Sequence, residues 1–131
     1  MSHLRISEAA ELLGVSDDTV RRMADSGRLP AHKDDAGRLV VAGADLARLA
    51  QQIANPAAAG PVSDESARNR MRGIVTRVVK DTVMAQVEIQ CGPFRIVSLM
   101  SSEAVDELGL APGSVAVASI KATNVIVGVP A

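Results

Sequence analysis

Aromatic residues are almost missing from this chain of 131 residues, which contains one Phe and neither Trp nor Tyr. Proteins that bind single-stranded nucleic acid commonly stack its bases on aromatic side chains. Phe94 is the only residue that could serve in this way, so the sequence nearly excludes such binding. Because apolar residues still make up 47% of the chain, we expect a core built from aliphatic side chains.

Cysteine and histidine are also scarce. Cys91 is the only cysteine, which excludes an internal disulfide and a cysteine-based zinc site, and we expect it to be a small core residue. His3 and His32 are far apart in sequence, and their spacing does not suggest a metal site, so both are expected on the surface. The chain also lacks a GxxxxGK phosphate loop and a carboxylate pair beside a nucleophile. We therefore do not expect an enzyme.

Long apolar runs and an excess of one charge are absent as well. No run of 18 apolar residues occurs, and residues 1–11 mix charge and polarity without the pattern of a signal peptide, so we expect a soluble cytoplasmic protein. Residues 1–55 carry seven basic and eight acidic groups, and residues 62–131 carry seven of each. Because neither half has a net positive charge, contact with nucleic acid requires a local patch of basic residues.

Helix signals dominate residues 6–27. Ser7 and Ser16 each stand where a hydroxyl can cap a helix, and acidic residues follow in the first turns, where the helix dipole favours them. Gly14 and Gly27 mark the ends of the two segments. Two short helices joined by a glycine-containing turn predict a helix-turn-helix arrangement.

A polar segment and a third helix follow. Residues 32–38 separate two short apolar segments and predict a β-hairpin, or wing, with its tip near Ala36 and Gly37. Residues 44–53 predict a helix, because apolar residues recur at helical spacing on one face. That face carries Leu46, Leu49 and Ile53.

Residues 4–53 resemble the winged helix-turn-helix of the MerR and excisionase group. The resemblance rests on the order SEAAELLGVSDDTVRRMADSGRLPAHK, followed by a Gly-Arg pair in the wing. It implies that the second helix enters the major groove of DNA and that the wing contacts the DNA backbone. The contact residues it implies are Ser16, Thr19, Arg21, Arg22, Lys33 and Arg38.

Four carboxylates stand beside these implied contacts and repel phosphate. They are Asp17, Asp18, Asp34 and Asp35. We therefore expect a low DNA affinity per subunit and a need for two or more subunits. The alternative is that Arg21 and Arg22 are solvated helix residues and that the module only holds subunits together.

Residues 54–63 have no periodicity and contain two Pro, one Gly and mostly small residues. This composition predicts a linker. We accordingly expect an α+β chain of two domains. A winged helix-turn-helix domain at residues 1–54 is joined by a flexible linker at 55–65 to a second domain at 66–131.

The second domain is predicted to be mainly β-structure. Residues 83–91 alternate apolar and polar side chains, which indicates a half-buried strand. Further strands are predicted at 71–79, 94–100 and on both sides of a hexapeptide at 119–124. A short helix is predicted from Ser102, ending at Gly109. Five strands and one helix in so few residues predict a small five-stranded β-barrel of OB type.

The hexapeptide Ser119–Asn124 carries one cation and two small hydroxyl residues between two β-branched segments. Lysine and hydroxyl donors, together with backbone N–H groups at a bend, suit a small anion. Considered alone, the segment is weak evidence for a site, and an ordinary polar turn is the favoured interpretation.

Three sequence blocks resemble the Mop or TOBE domain of molbindins and of molybdate-responsive regulators. They are SARN at 66–69, VSLMSSEAVDELGLAPG at 97–113 and SIKATNVIVGV at 119–129. The resemblance implies that molybdate or tungstate binds at subunit interfaces. The oxyanion-binding residues it implies are Ser66, Arg68, Ser98, Ser101, Lys121, Ala122 and Thr123. The chain departs from the family at Val97, where Thr is frequent, and at Arg70, where Gln is frequent.

Together, the two resemblances imply a cytoplasmic DNA-binding transcription regulator that responds to molybdate or tungstate. One ligand domain per chain implies a homo-oligomer, at least a dimer, and family members with one copy can form hexamers. Two alternatives remain open. One is a molbindin-type protein that stores or buffers molybdate or tungstate, and the other is an architectural DNA binder without a ligand.

Overall fold

The computed structural model describes residues 3–60 and 65–131. The chain divides into two compact units, Met1–Asn55 and Pro56–Ala131, and each has its own hydrophobic core. Within the described residues, every helix is too short or too polar to cross a membrane.

The N-terminal unit combines three helices with a small sheet. Its elements are β1 (His3–Arg5), α1 (Ile6–Leu13), α2 (Asp17–Asp25), β2 (Ala31–Lys33), β3 (Leu39–Ala42) and α3 (Gly43–Ile53). The sheet is antiparallel in the order β1-β3-β2. The helix-turn-helix, the wing and the third helix are confirmed, whereas the three-residue strand β1 was not predicted.

The two N-terminal helices begin in different ways. The hydroxyl of Ser16 accepts a hydrogen bond from the N–H of Thr19 at 3.2 Å, so its predicted capping role is confirmed. The capping role predicted for Ser7 is wrong, because α1 already begins at Ile6 and Ser7 lies inside it. The backbone N–H of Arg5 instead donates to the Glu8 carboxylate at 3.3 Å.

One aliphatic core joins the helices to the sheet. Leu46 and Leu49 of α3 are buried in it, as the helical spacing predicted. The other buried members are Ile6, Ala9, Ala10, Val20, Leu29 and Val41. Burial of such side chains drives the folding of a unit of this size.

Asp34 organises the turn at the tip of the wing. Its carboxylate oxygen Oδ1 accepts from the N–H groups of Ala36 and Arg38, both at 2.9 Å. Gly37 has a φ of 77°, a conformation that glycine adopts without strain. The backbone N–H of Arg38 is the main cause that holds the pKa of Asp34 below its usual value.

The C-terminal unit is a curled antiparallel sheet with one helix. Its elements are β4 (Asn69–Lys80), β5 (Met84–Cys91), β6 (Phe94–Ser101), α4 (Ser102–Leu108), β7 (Val115–Ile120) and a 3₁₀ turn (Ala122–Asn124). The strand order is β6-β5-β4-β7. The buried core consists of Val75, Ala85, Val87, Ile89, Cys91 and, from α4, Val105. The core role expected for Cys91 is confirmed.

The predicted five-stranded barrel is wrong in its strand count, because four strands form this sheet. Residues 125–131 form no strand, and Ile126 and Val129 are 95% and 90% exposed. A strand needs a backbone partner, and residues 125–131 do not pair with β6 or β7, the strands at the two edges of the sheet. Within the described part of the chain, β6 and β7 therefore remain the edges of an open sheet.

Candidate functional site

The end of the β4–β7 ladder brings two of the sequence blocks together. Asn69 and Ile120 form the last pair of this ladder, and the Asn69 side-chain amide donates to the Ile120 carbonyl at 3.1 Å. Arg68 and Lys121 are the next residues on each side of this pair. The two predicted cations thus leave the sheet from adjacent strand ends.

The 3₁₀ turn that follows Ile120 presents several donors. Its hydrogen bonds run from the Asn124 N–H to the Lys121 carbonyl at 2.9 Å and from the Val125 N–H to the Ala122 carbonyl at 3.3 Å. The N–H groups of Ala122 and Thr123 stand at the start of the turn and have no acceptor inside it. Lys121, Ala122 and Thr123 are exposed, so an ammonium, a hydroxyl and two N–H groups occupy one accessible turn.

A hydrogen bond of Glu65 links the segment before β4 to this end of the sheet. Its carboxylate accepts from Arg70 Nε at 2.8 Å, and Arg70 lies opposite Ser119 of β7. The hydrogen bond from Arg70, and then that from Ser119, hold the pKa of Glu65 below its ordinary value. Arg70, which departs from the family pattern, therefore has a carboxylate partner, and the segment that contains Ser66 and Arg68 is tied to β7.

An open groove with a basic rim lies at the same end. Its apolar floor includes Met71 and Ile96. Three arginines, Arg68, Arg70 and Arg95, also line it. Arg70 pairs with Glu65, and Arg95 pairs with Glu88. The remaining lining residues are Asn69, Phe94, Ile120 and Val125. Within residues 3–60 and 65–131, Arg68 makes no ion pair, so its charge is not offset there.

Ser98 and Ser101 lie apart from this group. Both belong to β6, which is separated from β7 by β5 and β4. The Ser101 hydroxyl caps α4 by accepting from the Ala104 N–H at 3.1 Å. Strands advance about 3.3 Å per residue, so Ser101 lies roughly 20 Å along β6 from Phe94, which lines the groove. The β4–β7 end thus brings Arg68 close to Lys121, Ala122 and Thr123, and Ser66 follows Glu65 in the segment before β4. Ser98 and Ser101 are on the edge strand β6, and Ser98 is two residues from Ile96, which lines the groove.

The expected DNA contacts on α2 are exposed or half-buried. Ser16 and Thr19 share a hydrogen bond between their hydroxyls at 2.9 Å at the start of the helix. Arg21 NH1 lies 3.6 Å from the Asp18 carboxylate, which offsets part of its charge. Arg22 is exposed in the last turn and forms no ion pair within the described residues.

The expected wing contacts are on β2 and in the turn after it. Lys33 ends β2 and is exposed. Arg38 Nε lies 3.7 Å from the Asp34 carboxylate. Of the four cations assigned to DNA, Arg21 and Arg38 therefore have a neighbouring carboxylate.

Residue patterns alone did not identify three participants in this arrangement. Asn69 belongs to the SARN block, but the block does not reveal its bond to Ile120. Glu65 and Arg70 are five residues apart, and their pairing depends on how the chain enters β4. Arg28 is a further exposed cation in the segment between α2 and β2. Its proximity in sequence to the helix and the wing was the available signal.

Comparison with known proteins matches both units. Residues 65–127 match the family model described as TOBE domain, and residues 4–54 match that described as helix-turn-helix domain. A probable molybdenum-pterin-binding protein of Haemophilus influenzae is 45% identical over 65 residues, which are 49% of this chain and 94% of that protein. Molybdenum-pterin-binding protein 1 of Clostridium pasteurianum is 36% identical over 63 residues, which are 47% of this chain and 93% of that protein.

Among solved structures, a molybdate-binding protein from Sporomusa ovata is 33% identical, with a TM-score of 0.47 over 49% of this chain and 96% of that one. The two molybdenum-pterin-binding proteins are matched over 94% and 93% of their length at 45% and 36% identity, and these matches establish the family. The chain belongs to the TOBE-domain family and carries a helix-turn-helix domain ahead of its TOBE domain.

Proposed function

We propose that this protein is a molybdate- or tungstate-responsive DNA-binding transcription regulator that binds the oxyanion where copies of its TOBE domain meet. The observation that carries the proposal is the grouping of Arg68, Lys121 and the 3₁₀ turn at the end of the β4–β7 ladder. The curated relatives that match this domain are named for binding molybdenum with pterin, which supports a molybdenum ligand.

The donors at this turn suit a tetrahedral dianion. Molybdate and tungstate carry no proton at neutral pH, so a site built from hydroxyls, N–H groups and cations satisfies them. Phosphate keeps a proton in much of its population and needs an acceptor, while sulfate is smaller and is rejected by size. Arg68 and Lys121 offset the charge, and they do so more effectively when a second copy excludes water.

A second copy is needed to complete the set of residues. Ser98 and Ser101 are on the edge strand β6, away from Lys121. An unpaired edge and an exposed apolar segment both favour association. The segment includes Ile126, Val127 and Val129. We propose an oligomer, at least a dimer and with a hexamer as the larger alternative, in which the serines of one copy join the cations of another.

Regulation follows from differential binding. An oxyanion that binds only one arrangement of the TOBE domains stabilises that arrangement, and it thereby changes how the helix-turn-helix domains are presented to DNA. Arg22 and Lys33 have no carboxylate partner within the described residues and are the strongest candidates for phosphate contact. The activity is binding rather than catalysis, and we expect it in the cytoplasm.

Isothermal titration calorimetry with molybdate, tungstate, sulfate and phosphate tests the oxyanion site. We expect heat from molybdate and tungstate only, and at least a tenfold loss of their affinity in Lys121→Ala, because the turn loses its ammonium. Lys80→Ala is the matched control, since Lys80 pairs with Asp106 outside the site. Unchanged affinity in Lys121→Ala, or equal affinity for sulfate, would remove the assignment.

A protein that buffers molybdate or tungstate is the second candidate, with the N-terminal unit serving assembly. The ion pairs of Arg21 with Asp18 and of Arg38 with Asp34 favour it, because they weaken attraction to phosphate.

Fluorescence anisotropy with labelled duplex DNA at low salt distinguishes the regulator from the buffering protein. The regulator binds DNA, loses affinity steeply as salt rises and is weakened by Arg22→Gln. A buffering protein binds the oxyanion and shows no DNA binding at any salt concentration.

A further inference from the structure

The two histidines of the chain lie side by side on the small sheet of the N-terminal unit. His3 of β1 pairs with Ala42 of β3. On the other side of β3, His32 of β2 pairs with Val40. Positions two residues apart on a strand point to the same face, so both histidines are on one face of the sheet. Their ring centroids are 5.2 Å apart and their planes meet at 89°.

This face of the sheet is turned away from the helical core. Val41 points into the core, whereas Val40 is only 5% exposed without belonging to the core cluster. Val40 pairs with Arg5 of β1 on one side of β3 and with His32 of β2 on the other. Arg5 and His32 thus flank Val40, and the backbone ladders fix where both histidines leave the sheet.

The spacing of the rings fits a shared metal ion. An imidazole nitrogen binds Zn²⁺ at about 2.0 Å, and two imidazoles on one tetrahedral ion have ring centres about 5 Å apart. Both histidines are exposed, so rotation of their side chains can direct one nitrogen of each ring to a common point. Imidazole suits zinc, copper and nickel, whereas magnesium and calcium prefer oxygen ligands.

We infer that His3 and His32 form a two-histidine site for a borderline transition-metal ion such as Zn²⁺, independent of the oxyanion site. Within residues 3–60 and 65–131, no group of three His, Cys, Asp or Glu is placed to hold a metal, so water completes the coordination. The Arg5 guanidinium in the same row opposes a further positive charge and makes the site weaker than a four-ligand zinc site. A bound ion joins β1 to β2 across β3 and stabilises the sheet that carries the wing.

Proton NMR of the intact chain tests the site directly, because its two histidines give two pairs of imidazole resonances. Metal-free protein is titrated with zinc chloride at neutral pH, with calorimetry for stoichiometry. Both pairs are expected to move together and to saturate at one ion per chain. His3→Gln and His32→Gln are each expected to lower zinc affinity at least tenfold. Excess zinc raises the unfolding midpoint of the wild-type N-terminal unit by about 5 °C.

Cys91→Ser is the control for binding through sulfur, and it is expected to bind zinc as the wild type does. The inference is overturned if only one pair of resonances responds, if either single glutamine variant keeps wild-type affinity, or if Cys91→Ser abolishes binding. One ion per two chains would assign the metal to a contact between copies and would overturn it as well. If the two histidines make only an edge-to-face ring contact, the titration will show no zinc binding, and that result would also overturn the inference.

Discussion

At the scale of single residues, several charged side chains are held by the fold at the surfaces expected to bind anions. Asp34 lies in the wing, and Glu65 lies beside the oxyanion residues. Asp34 accepts two backbone hydrogen bonds, and Glu65 accepts from Arg70. Their carboxylates stabilise the wing turn and the entry to β4, which accounts for acids at positions where repulsion of phosphate or oxyanion would otherwise be expected.

The role of Asp34 predicts a pH dependence of the N-terminal unit. Its pKa is lowered in the folded state, so its stabilising effect is present above the usual value of 3.8 and is lost as pH falls through the folded pKa. We expect Asp34→Ala to lower the unfolding midpoint at neutral pH by about 5 °C and to remove this acid-dependent loss. Circular dichroism at a series of pH values measures both effects.

Asp35→Ala is the matched control for this substitution, because the hydrogen bonds of the turn go to Asp34. It should unfold as the wild type does. If the two variants had the same midpoints and the same pH dependence, Asp34 would have no special part in the wing.

At the scale of elements, periodicity predicted the helices and most strands because their buried faces repeat in sequence. Residues 85–91 alternate between buried and half-buried, as their pattern indicated. Residues 125–129 have an equally apolar composition, but they do not pair with either edge strand of the sheet, β6 or β7. Composition indicates that a segment can form a strand, and it does not say where the partner is. For the same reason, the three-residue strand β1 was missed.

Close packing between β4 and β5 depends on Gly73. A Cβ atom there would lie 2.4 Å from the Gln90 carbonyl oxygen and 2.7 Å from Cys91 Sγ. We expect Gly73→Ala to lower the free energy of unfolding of the C-terminal unit by about 3 kcal/mol, because backbone must move to relieve the overlap. Urea denaturation followed by circular dichroism measures the loss.

Gly128→Ala supplies the control for this change, since a Cβ atom at Gly128 meets nothing within 4 Å. Its stability should equal that of the wild type. Equal stability of the Gly73 and Gly128 variants would mean that the two strands are not packed as closely as described.

At the scale of the whole molecule, the residues expected to bind the oxyanion are divided between the β4–β7 end and the edge strand β6. The sequence blocks predicted which segments bind the oxyanion, and the fold brings the first and third blocks together at the end of the β4–β7 ladder. Ser98 and Ser101 are on β6, whereas Arg68 and Lys121 are at the β4–β7 end. A single sequence contains no signal for a contact between copies. The arrangement of the complete site therefore stays a prediction.

The exposed segment after the 3₁₀ turn predicts self-association. Ile126 and Val127 are 95% and 85% exposed, and burying both in another copy contributes roughly 3 kcal/mol, equal to about 100-fold in affinity. We expect the double substitution Ile126→Asp and Val127→Asp to shift the oligomer toward the monomer in sedimentation velocity. Leu12→Asp, at an exposed leucine of α1, should leave the oligomer unchanged. A double variant that sediments like the wild type would show that this segment is not part of the contact.

Native mass spectrometry of the intact chain with and without tungstate tests the central claim, because it reports the number of copies and the bound oxyanion together. The proposed site predicts that tungstate is found only on oligomers and that Lys121→Ala forms oligomers without it. Monomers that carry tungstate, or oligomers that bind none at saturating concentration, would contradict an oxyanion site shared between copies.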